Sequence, residues 1–492
     1  MTTQPVSEIL AHTGNPTRLF AGNTWIDASG GSLASIDPTT EQEICRIGVA
    51  TPGDVDQVVE AALEGAKVWR DTPWIERAGM LNQLADAIAE SSDRLAMTDT
   101  IESGLPITGM RGDTAGAARE LRYFAGLSGE TKGEMFPDTR GQFSVTVLEP
   151  FGVVARIVPF NHPLKYAAGK SAAVLAAGNS VVLKPSEHTS LTTLEFARIA
   201  GEILPSGVVN VVTGPADPTG IALVGHPDIP RVAFTGGVAS GRAVNELAAR
   251  RLKTVSLELG GKNPLIVFDD ASVTDAAVAA VGGMNFRRSM GQSCMSQSRI
   301  FVHRSRYDDF VAAFSNLVGE LRIGDPADSS TDIGPLAYET HRDRVLGHIA
   351  DASADGAHVT VGGGRSKGFS RGYYVDPTVI VDVTPDMKIA QQEVFGPVAA
   401  IIPWDDYESM IETVNSLPLG LTANIWTRSQ QRALETARRV GAGLVWVNGS
   451  GRKPLGVPFG GYKDSGLGRE GSIDELLSYT RKKSIVINYG DA

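Results

Sequence analysis

Apolar residues recur at helical spacing in the first quarter of the chain. Val59, Ala62 and Ala66 fall on one face of a 3.6-residue period, and similar spacing continues across residues 56–130. Between residues 141 and 160 the period shortens to that of strands, in short runs of β-branched residues. The pattern predicts a helical section followed by strands.

Strands and helices then alternate regularly. Continuously apolar runs such as Val181-Val182-Leu183 are separated by segments with helical spacing. Strands that are apolar on both faces are typical of a parallel sheet covered by helices on both sides. The predicted strands are 180–184, 208–212, 232–235 and 254–257, and the predicted helices are 189–203, 218–224 and 239–250.

A second alternating section runs from Asn263 to about Val445, with strands that include 265–268 and 298–303. A last, weakly alternating strand is expected over 483–489. The chain has 492 residues, enough for two or three domains, and no low-complexity linker separates them. The predicted class is therefore α/β, with a doubly wound Rossmann-like domain and a second α/β domain packed against it.

Composition excludes several classes of protein. The net charge is −11, and no basic cluster extends beyond Arg481-Lys482-Lys483, which argues against a nucleic-acid-binding surface. No apolar run reaches the ~18 residues of a membrane span, and the first residues do not resemble a signal peptide. We expect a soluble, cytoplasmic protein. Two cysteines and eight scattered histidines predict neither a disulfide framework nor a metal site.

Three segments carry the candidate chemistry. Cys294 ends Gly291-Gln292-Ser293-Cys294, Glu258 lies in Leu257-Glu258-Leu259-Gly260-Gly261-Lys262, and Asn161 lies in Pro159-Phe160-Asn161-His162-Pro163. Taken singly, each has an ordinary interpretation: a buried structural thiol, a solvated carboxylate and a turn residue. Cys45, in a predicted strand, is such a structural thiol. Together, a thiol, a carboxylate and an amide form a set suited to covalent catalysis.

The set resembles the NAD(P)-dependent aldehyde dehydrogenase superfamily. Glu393-Val394-Phe395-Gly396-Pro397 and Pro458-Phe459-Gly460-Gly461-Tyr462-Lys463 extend the resemblance to five motifs in the family's order, over roughly residues 20–485. The resemblance implies that Cys294 attacks the aldehyde carbon to form a thiohemiacetal. Asn161 and the backbone N–H of Cys294 would stabilise the oxyanion. After hydride transfer, Glu258 would activate the water that hydrolyses the thioester.

The resemblance also implies a cofactor site. Lys184 and Glu187 would hold the adenosine ribose, and because Glu187 would repel a 2′-phosphate, NAD is expected rather than NADP. Gly236 and Gly237 follow a predicted strand and open a helix, which suits pyrophosphate binding. Gly237 replaces a serine that is common in relatives. Further cofactor contacts are implied for Glu393 and Phe395 at the nicotinamide end, and for Pro159, Phe160 and Gly214.

The substrate is less defined. Arg288 matches the arginine that holds the substrate carboxylate in succinate-semialdehyde dehydrogenases, but Gly169 replaces the second arginine of that subgroup. Arg452 and Lys453 are expected at the pocket mouth, so a carboxylate-bearing semialdehyde is the first candidate. Tyr166 and Gly169 would instead leave room for the second candidate, an aromatic or medium-chain aldehyde. Solvation or a subunit contact explains the cations equally well.

Two rival functions remain at this point. Acyl transfer to coenzyme A is disfavoured by Glu258, since a thiol rather than activated water releases the acyl group in such relatives. A non-catalytic binding or structural protein on the same scaffold is disfavoured because all three catalytic positions are kept. His162 stands where relatives usually carry an aromatic residue, and we expect it to pack rather than to transfer protons.

The resemblance also implies an oligomer and a division of the chain into domains. Segments 142–148 and 483–489 resemble strands that pair across subunits, and an exposed strand needs a partner. Closed symmetry then predicts a homodimer or a homotetramer. The predicted domains are an NAD-binding domain of residues 1–130 and 150–257, to which 450–472 return, a catalytic domain of residues 258–449, and oligomerisation strands in 131–149 and 473–492.

Overall fold

The computed structural model describes residues 10–11, 14–137, 141–451 and 453–489. Two large sheets, one of eight strands and one of seven, pack with helices, and three smaller sheets complete the fold. The predicted α/β class is confirmed.

Four long helices form the section predicted to be helical. The first begins at a capping box, in which Thr51 Oγ1 accepts from the Asp54 N–H and the Asp54 carboxylate accepts from the Thr51 N–H at 2.8 Å. Its apolar face, including Val55 and Val59, is fully buried. The α-helices are Pro52–Asp71, Trp74–Glu90, Ser92–Ser103, Ile107–Leu127, Pro163–Ala168, Ala172–Ala176, Leu191–Ile203, Ile221–Gly225, Val238–Ala249, Val273–Gly283, Phe286–Ser289, Tyr307–Gly319, Glu339–Ala354, Lys388–Gln391, Tyr407–Asn415, Gln430–Arg439 and Ile473–Ser478.

The first sheet has a parallel centre and antiparallel edges. Its central strands are buried on both faces, as their continuous apolar runs predict. The predicted strands are confirmed, with ends that shift by at most one residue. In spatial order the strands are Thr24–Asp27, Arg18–Ala21, Val209–Val211, Ser180–Lys184, Val153–Ile157, Arg231–Thr235, Thr254–Glu258 and Gly466–Leu467.

The chain changes direction across this sheet at the strand Val153–Ile157. Ser180–Lys184 and Val209–Val211 add to one side of it, and Arg231–Thr235 and Thr254–Glu258 add to the other. In doubly wound sheets, ligands bind beyond the carboxyl ends of the strands at such a switch point. The predicted site residues Asn161, Lys184 and Gly236 lie at or just after the carboxyl ends of these strands, whereas Cys294 lies between two strands of the second sheet in the sequence.

The second sheet includes the two strands between which the predicted nucleophile Cys294 lies in the sequence. It is parallel except for one antiparallel edge strand, and two buried apolar clusters cover its faces. Its strands, in spatial order, are His358–Val361, Thr378–Val381, Val398–Trp404, Arg299–His303, Pro264–Val267, Thr422–Trp426 and Leu444–Val447.

A three-stranded sheet joins the two segments expected to form subunit contacts. Thr480–Asn488 pairs along its length with Gln142–Pro150, which also pairs with Met135–Phe136. Apolar side chains remain exposed on the outer strand: Ile485 by 39%, Val486 by 54% and Ile487 by 46%. Two further strand pairs are Ser32–Asp37 with Gln42–Gly48, and Leu419–Gly420 with Tyr462–Lys463.

Among the described residues, no helix combines the length and the apolar character needed to cross a membrane.

Candidate active site

A cavity of about 710 Å³ contains the predicted nucleophile and the predicted base. Cys294 and Glu258 line it, although they lie on different segments and adjoin different sheets. The other lining residues are Gly112, Gly116, Arg119, Glu120, His162, Lys165, Tyr166, Lys170, Thr235, Arg288, Ser293, Met295, Gly451, Lys453, Pro454, Leu455, Phe459 and Glu470.

The loop that carries Cys294 is held by side-chain amides. Asn263 Nδ2 donates to the Cys294 carbonyl at 2.7 Å, and Asn161 Nδ2 donates to the Gln292 carbonyl at 2.8 Å. Gly291 has φ 71°, and a Cβ there would lie 2.0 Å from the Gly396 carbonyl oxygen, so the turn requires glycine. The predicted oxyanion residue therefore contacts the nucleophile loop directly.

The thiol of Cys294 lies in an environment that disfavours the thiolate. Burial raises the pKa of Cys294 to about 12, with further contributions from the carboxylates of Glu393 and Glu258. The group is therefore a protonated thiol at neutral pH in the protein alone. A positive charge placed against it would oppose these carboxylates and favour the thiolate.

Glu258 ends the strand Thr254–Glu258 and is only 6% exposed. Neither of its carboxylate oxygens accepts a hydrogen bond from any residue in the described part of the chain. Burial, followed by the charge of Glu470, raises the pKa of Glu258 well above its usual value, while Lys170 and Lys453 oppose the shift. An unpartnered carboxyl group with a raised pKa is suited to accept a proton from a water molecule.

A buried ion cluster behind Glu258 was not predicted. Glu470 accepts from Arg156 Nη2 at 2.8 Å and pairs with Lys170 Nζ at 2.9 Å, and all three side chains are buried. Burial opposes the charge of Glu470, but Lys170 and Arg156 outweigh it and hold its pKa well below the usual value. One signal was available: Arg156 interrupts a buried apolar strand, and a buried charge requires a partner.

Arg288 lines the cavity, but a carboxylate of the protein already engages it. Its Nη2 donates to Asp113, which is fully buried and also hydrogen-bonded to His162 Nδ1. Burial raises the pKa of Asp113, but His162 and Arg288 outweigh this and lower it below its usual value. Burial lowers the pKa of His162, so a neutral imidazole donates from Nδ1 to the carboxylate. His162 thus anchors Asp113 in addition to packing against Tyr166.

The remaining predicted substrate residues have different surroundings. Tyr166 and Lys453 line the cavity, and Lys453 Nζ lies 4.7 Å from the centre of the Phe459 ring. Burial and Lys170 lower the pKa of Lys453 to about 8. Arg452 lies outside the described residues.

Gly169 does not create the space expected of it. It is buried, and a Cβ there would lie 2.5 Å from Oε2 of the buried Glu120 side chain. The expectation that Gly169 widens the pocket is therefore wrong, because Glu120 occupies that volume. The cavity instead borders Gly112 and Gly116, which no motif in the sequence identifies.

The predicted adenosine and pyrophosphate residues follow parallel strands of the first sheet. Lys184 ends one strand and donates to the Pro185 carbonyl at 3.0 Å, with Glu187 in the next turn. Gly237 precedes the helix Val238–Ala249, whose first N–H groups have no side-chain cap, and a Cβ on Gly237 would meet nothing within 4 Å. Open space above free N–H donors fits a pyrophosphate.

Two other predicted glycines are needed for close packing. A Cβ on Gly236 would lie 2.5 Å from the Phe234 ring, and one on Gly214 would lie 2.2 Å from Thr219 Oγ1.

The predicted nicotinamide end is built from segments distant in sequence. Glu393 accepts from the Gly261 N–H at 3.0 Å, and burial raises its pKa to about 7. Phe395 has φ 58°, and its carbonyl oxygen lies 2.9 Å from His341 Nε2. Its ring contacts Phe160, at 5.8 Å between centres. Phe160, which follows Pro159, thereby joins the loop of Asn161 to the Glu393 segment.

Comparison with known proteins identifies the family of this chain. Residues 25–485 match the aldehyde dehydrogenase family. The chain is 41% identical over 467 residues to aldehyde dehydrogenase tropH of Talaromyces stipitatus, covering 93% of this chain and 90% of that protein. The chain belongs to the aldehyde dehydrogenase family.

Solved structures show the same fold at high similarity. PnpE from Pseudomonas sp. WBC-3, solved in complex with nicotinamide adenine dinucleotide, is 37% identical with a TM-score of 0.94, over 97% of this chain and 99% of that one. A putative aldehyde dehydrogenase from Burkholderia cenocepacia is 36% identical, also with a TM-score of 0.94, over 97% of this chain and 98% of that one.

Proposed function

We propose that this protein is an NAD-dependent aldehyde dehydrogenase that oxidises an aldehyde to a carboxylic acid. The observation that carries the proposal is that Cys294 and an unpartnered, buried Glu258 carboxyl group line one cavity. PnpE and an aldehyde dehydrogenase from Bacillus cereus, both similar to this chain, form complexes with NAD, which supports the same cofactor here.

The first step assigns roles to Cys294 and Asn161. The sulfur of Cys294 attacks the aldehyde carbon, and the carbonyl oxygen becomes a thiohemiacetal oxyanion. One N–H of the Asn161 amide is used by the Gln292 carbonyl, which leaves the second N–H of that amide for the oxyanion. The backbone N–H of Cys294 is the other donor, and each such donor contributes about 3–4 kcal/mol.

The second step assigns the role of base to Glu258. Bound NAD supplies the hydride acceptor and a positive ring charge that favours the Cys294 thiolate. Glu258 then takes a proton from water and the hydroxide attacks the thioester carbon. The carbon–sulfur bond breaks, which releases the acid and returns Cys294 as a thiolate. Burial and Glu470, which oppose the ionised form of Glu258, and Lys170, which favours it, together set the pH at which this base is available.

An absorbance assay tests the function. Purified enzyme with NAD, a reductant and a panel of aldehydes should produce NADH with at least one aldehyde. No NADH with any aldehyde and either cofactor would contradict the proposal and favour a non-catalytic role. If coenzyme A accelerated turnover, the protein would instead be a CoA-acylating enzyme.

Cofactor preference is expected to depend on Glu187. Wild-type enzyme should have a higher kcat/KM for NAD than for NADP, because the carboxylate would lie beside a 2′-phosphate. Glu187→Gln should reduce the ratio of the two constants by roughly 10-fold, since the charge repulsion is removed. The control is Glu64→Gln. Glu64 is exposed and pairs with Lys67 in the helix Pro52–Asp71. A wild-type preference for NADP would refute the assignment.

For the substrate, we propose a carboxylate-bearing semialdehyde. The cavity is bordered by the cationic residues Arg119, Lys165, Arg288 and Lys453, which supports an anionic aldehyde. The alternative is a neutral aromatic or medium-chain aldehyde, which the aromatic side chains of Tyr166 and Phe459 in the same cavity favour.

We propose the domain division given above and a homodimer or homotetramer. The exposed apolar residues of Thr480–Asn488, an outer strand of its sheet, support a subunit contact.

Light scattering at micromolar concentration should give a mass of two or four times 52.0 kDa. Ile487→Lys should weaken the assembly, because it places a charge in the proposed contact, whereas Lys67→Gln on the exposed face of the helix Pro52–Asp71 should not. A wild-type monomer would contradict the proposal.

A further inference from the structure

Two cations at the cavity wall form no ion pair within the residues that the structure describes, although the charge of Lys165 contributes to lowering the pKa of Asp113. Lys165 is half-buried, Arg119 is exposed, and both line the cavity. Neither makes a hydrogen bond or an ion pair with any residue in the ranges that the structure describes. This separates them from Arg288, whose charge is offset by Asp113.

The two cationic ends converge on one point. A Cβ built on Gly116 would lie 3.5 Å from Lys165 Nζ and 3.8 Å from Arg119 Nη2. Like charges gathered in this way repel each other, and an anion between them removes the repulsion and gains charge-assisted hydrogen bonds. Two carboxylates in this region do not offset these charges: Asp113 is committed to His162 and Arg288, and Glu120, which lines the same cavity and lies against Gly169, forms no ion pair with either cation in the described part of the chain.

Glycines widen the cavity next to these cations. Gly112 and Gly116 lie one turn apart in the helix Ile107–Leu127 and both line the cavity. A Cβ on Gly112 would meet nothing within 4 Å. Interior glycines weaken a helix, so two of them on the cavity side indicate a need for width. Other cavity walls carry the apolar or aromatic side chains of Tyr166, Met295, Leu455 and Phe459.

We propose that Lys165 and Arg119 form an anion-binding subsite for the aldehyde substrate, and that the glycine-lined wall admits a broad body such as a ring. The substrate class is then a ring-bearing aldehyde with a carboxylate or a similar anionic group remote from its carbonyl. This inference rests on the proposed function. Lys165, rather than Arg288, is then the main contact for the anionic group of the substrate.

A matched pair of aldehydes tests the subsite. 4-Carboxybenzaldehyde and its methyl ester, methyl 4-formylbenzoate, share the ring and the reacting group but differ in charge. The measured quantity is the ratio of kcat/KM for the acid to that for the ester. Wild-type enzyme should prefer the acid, and added salt should reduce the preference because the mouth of the cavity is open to solvent.

Lys165→Met should lower this ratio by ~10- to 100-fold, the loss expected for a hydrogen bond to a charged group. Arg119→Gln should lower it less, because Arg119 is exposed. Arg111→Gln is the matched control: Arg111 lies on the same helix, pairs with Asp93 and does not line the cavity, so the ratio should stay at the wild-type value.

Different outcomes of these measurements contradict the subsite and the proposed function. An unchanged ratio in Lys165→Met, or an equal loss on both aldehydes, would overturn the subsite while leaving the proposed function intact. Gly112→Val should slow the oxidation of both ring aldehydes but not that of hexanal. An equal effect on all three aldehydes would contradict the proposal that the glycine-lined wall admits a ring. If wild-type enzyme oxidised no aldehyde at all, the proposed function itself would fail.

Discussion

Replacing Cys294 by alanine should abolish aldehyde oxidation, with a loss of at least about 10⁴-fold in kcat. Without the sulfur no thiohemiacetal forms, and hydride transfer has no covalent intermediate to act on. Steady-state NADH formation with the best aldehyde of the panel measures the loss. Circular dichroism and a thermal melt should show an intact fold, because the substitution removes a single small side chain.

The second cysteine supplies a matched control for this experiment. Cys45 lies in the strand Gln42–Gly48, outside the cavity, and burial raises its pKa to about 12, as it does for Cys294. Cys45→Ala removes an equivalent protonated thiol, so activity should remain within a few-fold of wild type. Equal losses in the two variants, or retained activity in Cys294→Ala, would remove Cys294 from the mechanism.

Replacing Glu258 by glutamine should separate the two halves of the reaction. The first turnover should still give a burst of NADH close to one per active site, because acylation does not use the carboxylate. The following steady state should fall by ~10²- to 10⁴-fold, the usual contribution of a general base. Stopped-flow absorbance measures both phases, and Glu64→Gln serves as the surface control. Loss of the burst would contradict the assignment of Glu258 to thioester hydrolysis.

The pH dependence of the steady state provides a second measurement on the same variant. The base form of Glu258 accumulates only as pH rises through its raised pKa. Wild-type turnover should therefore increase with pH over a range well above the usual titration of a glutamate, when hydrolysis limits the rate. Glu258→Gln has no titrating group there, so this rise should disappear. A rise that persists in the variant would assign it to another group.

Much of the fold could be predicted because its signals are local. The helices over residues 52–127 and the strand Ser180–Lys184 follow from the spacing of apolar residues, which reports on one element at a time. The predicted nucleophile, base and amide segments could also be recognised from the sequence, because each is a short motif of consecutive residues. Cys294 and Glu258 line one cavity although they adjoin different sheets, so their meeting depends on how the two sheets pack.

The pairing of charges was decided by the tertiary structure alone. Arg156 and Glu470 are 314 residues apart, and Arg288 and Asp113 are 175 apart. The sequence identified Arg288 as a cation near the nucleophile, but it could not show that Asp113 offsets its charge.

The tertiary structure alone also decides where the cavity has space for a substrate. Gly169 appeared to leave room, yet the Glu120 side chain fills it, while Gly112 and Gly116 border the open volume. By itself, the sequence determined the elements, the candidate reacting groups and the family, since each depends on residues close together in the chain. Which charges are offset and where a substrate fits depend on packing between distant segments, which no local pattern encodes.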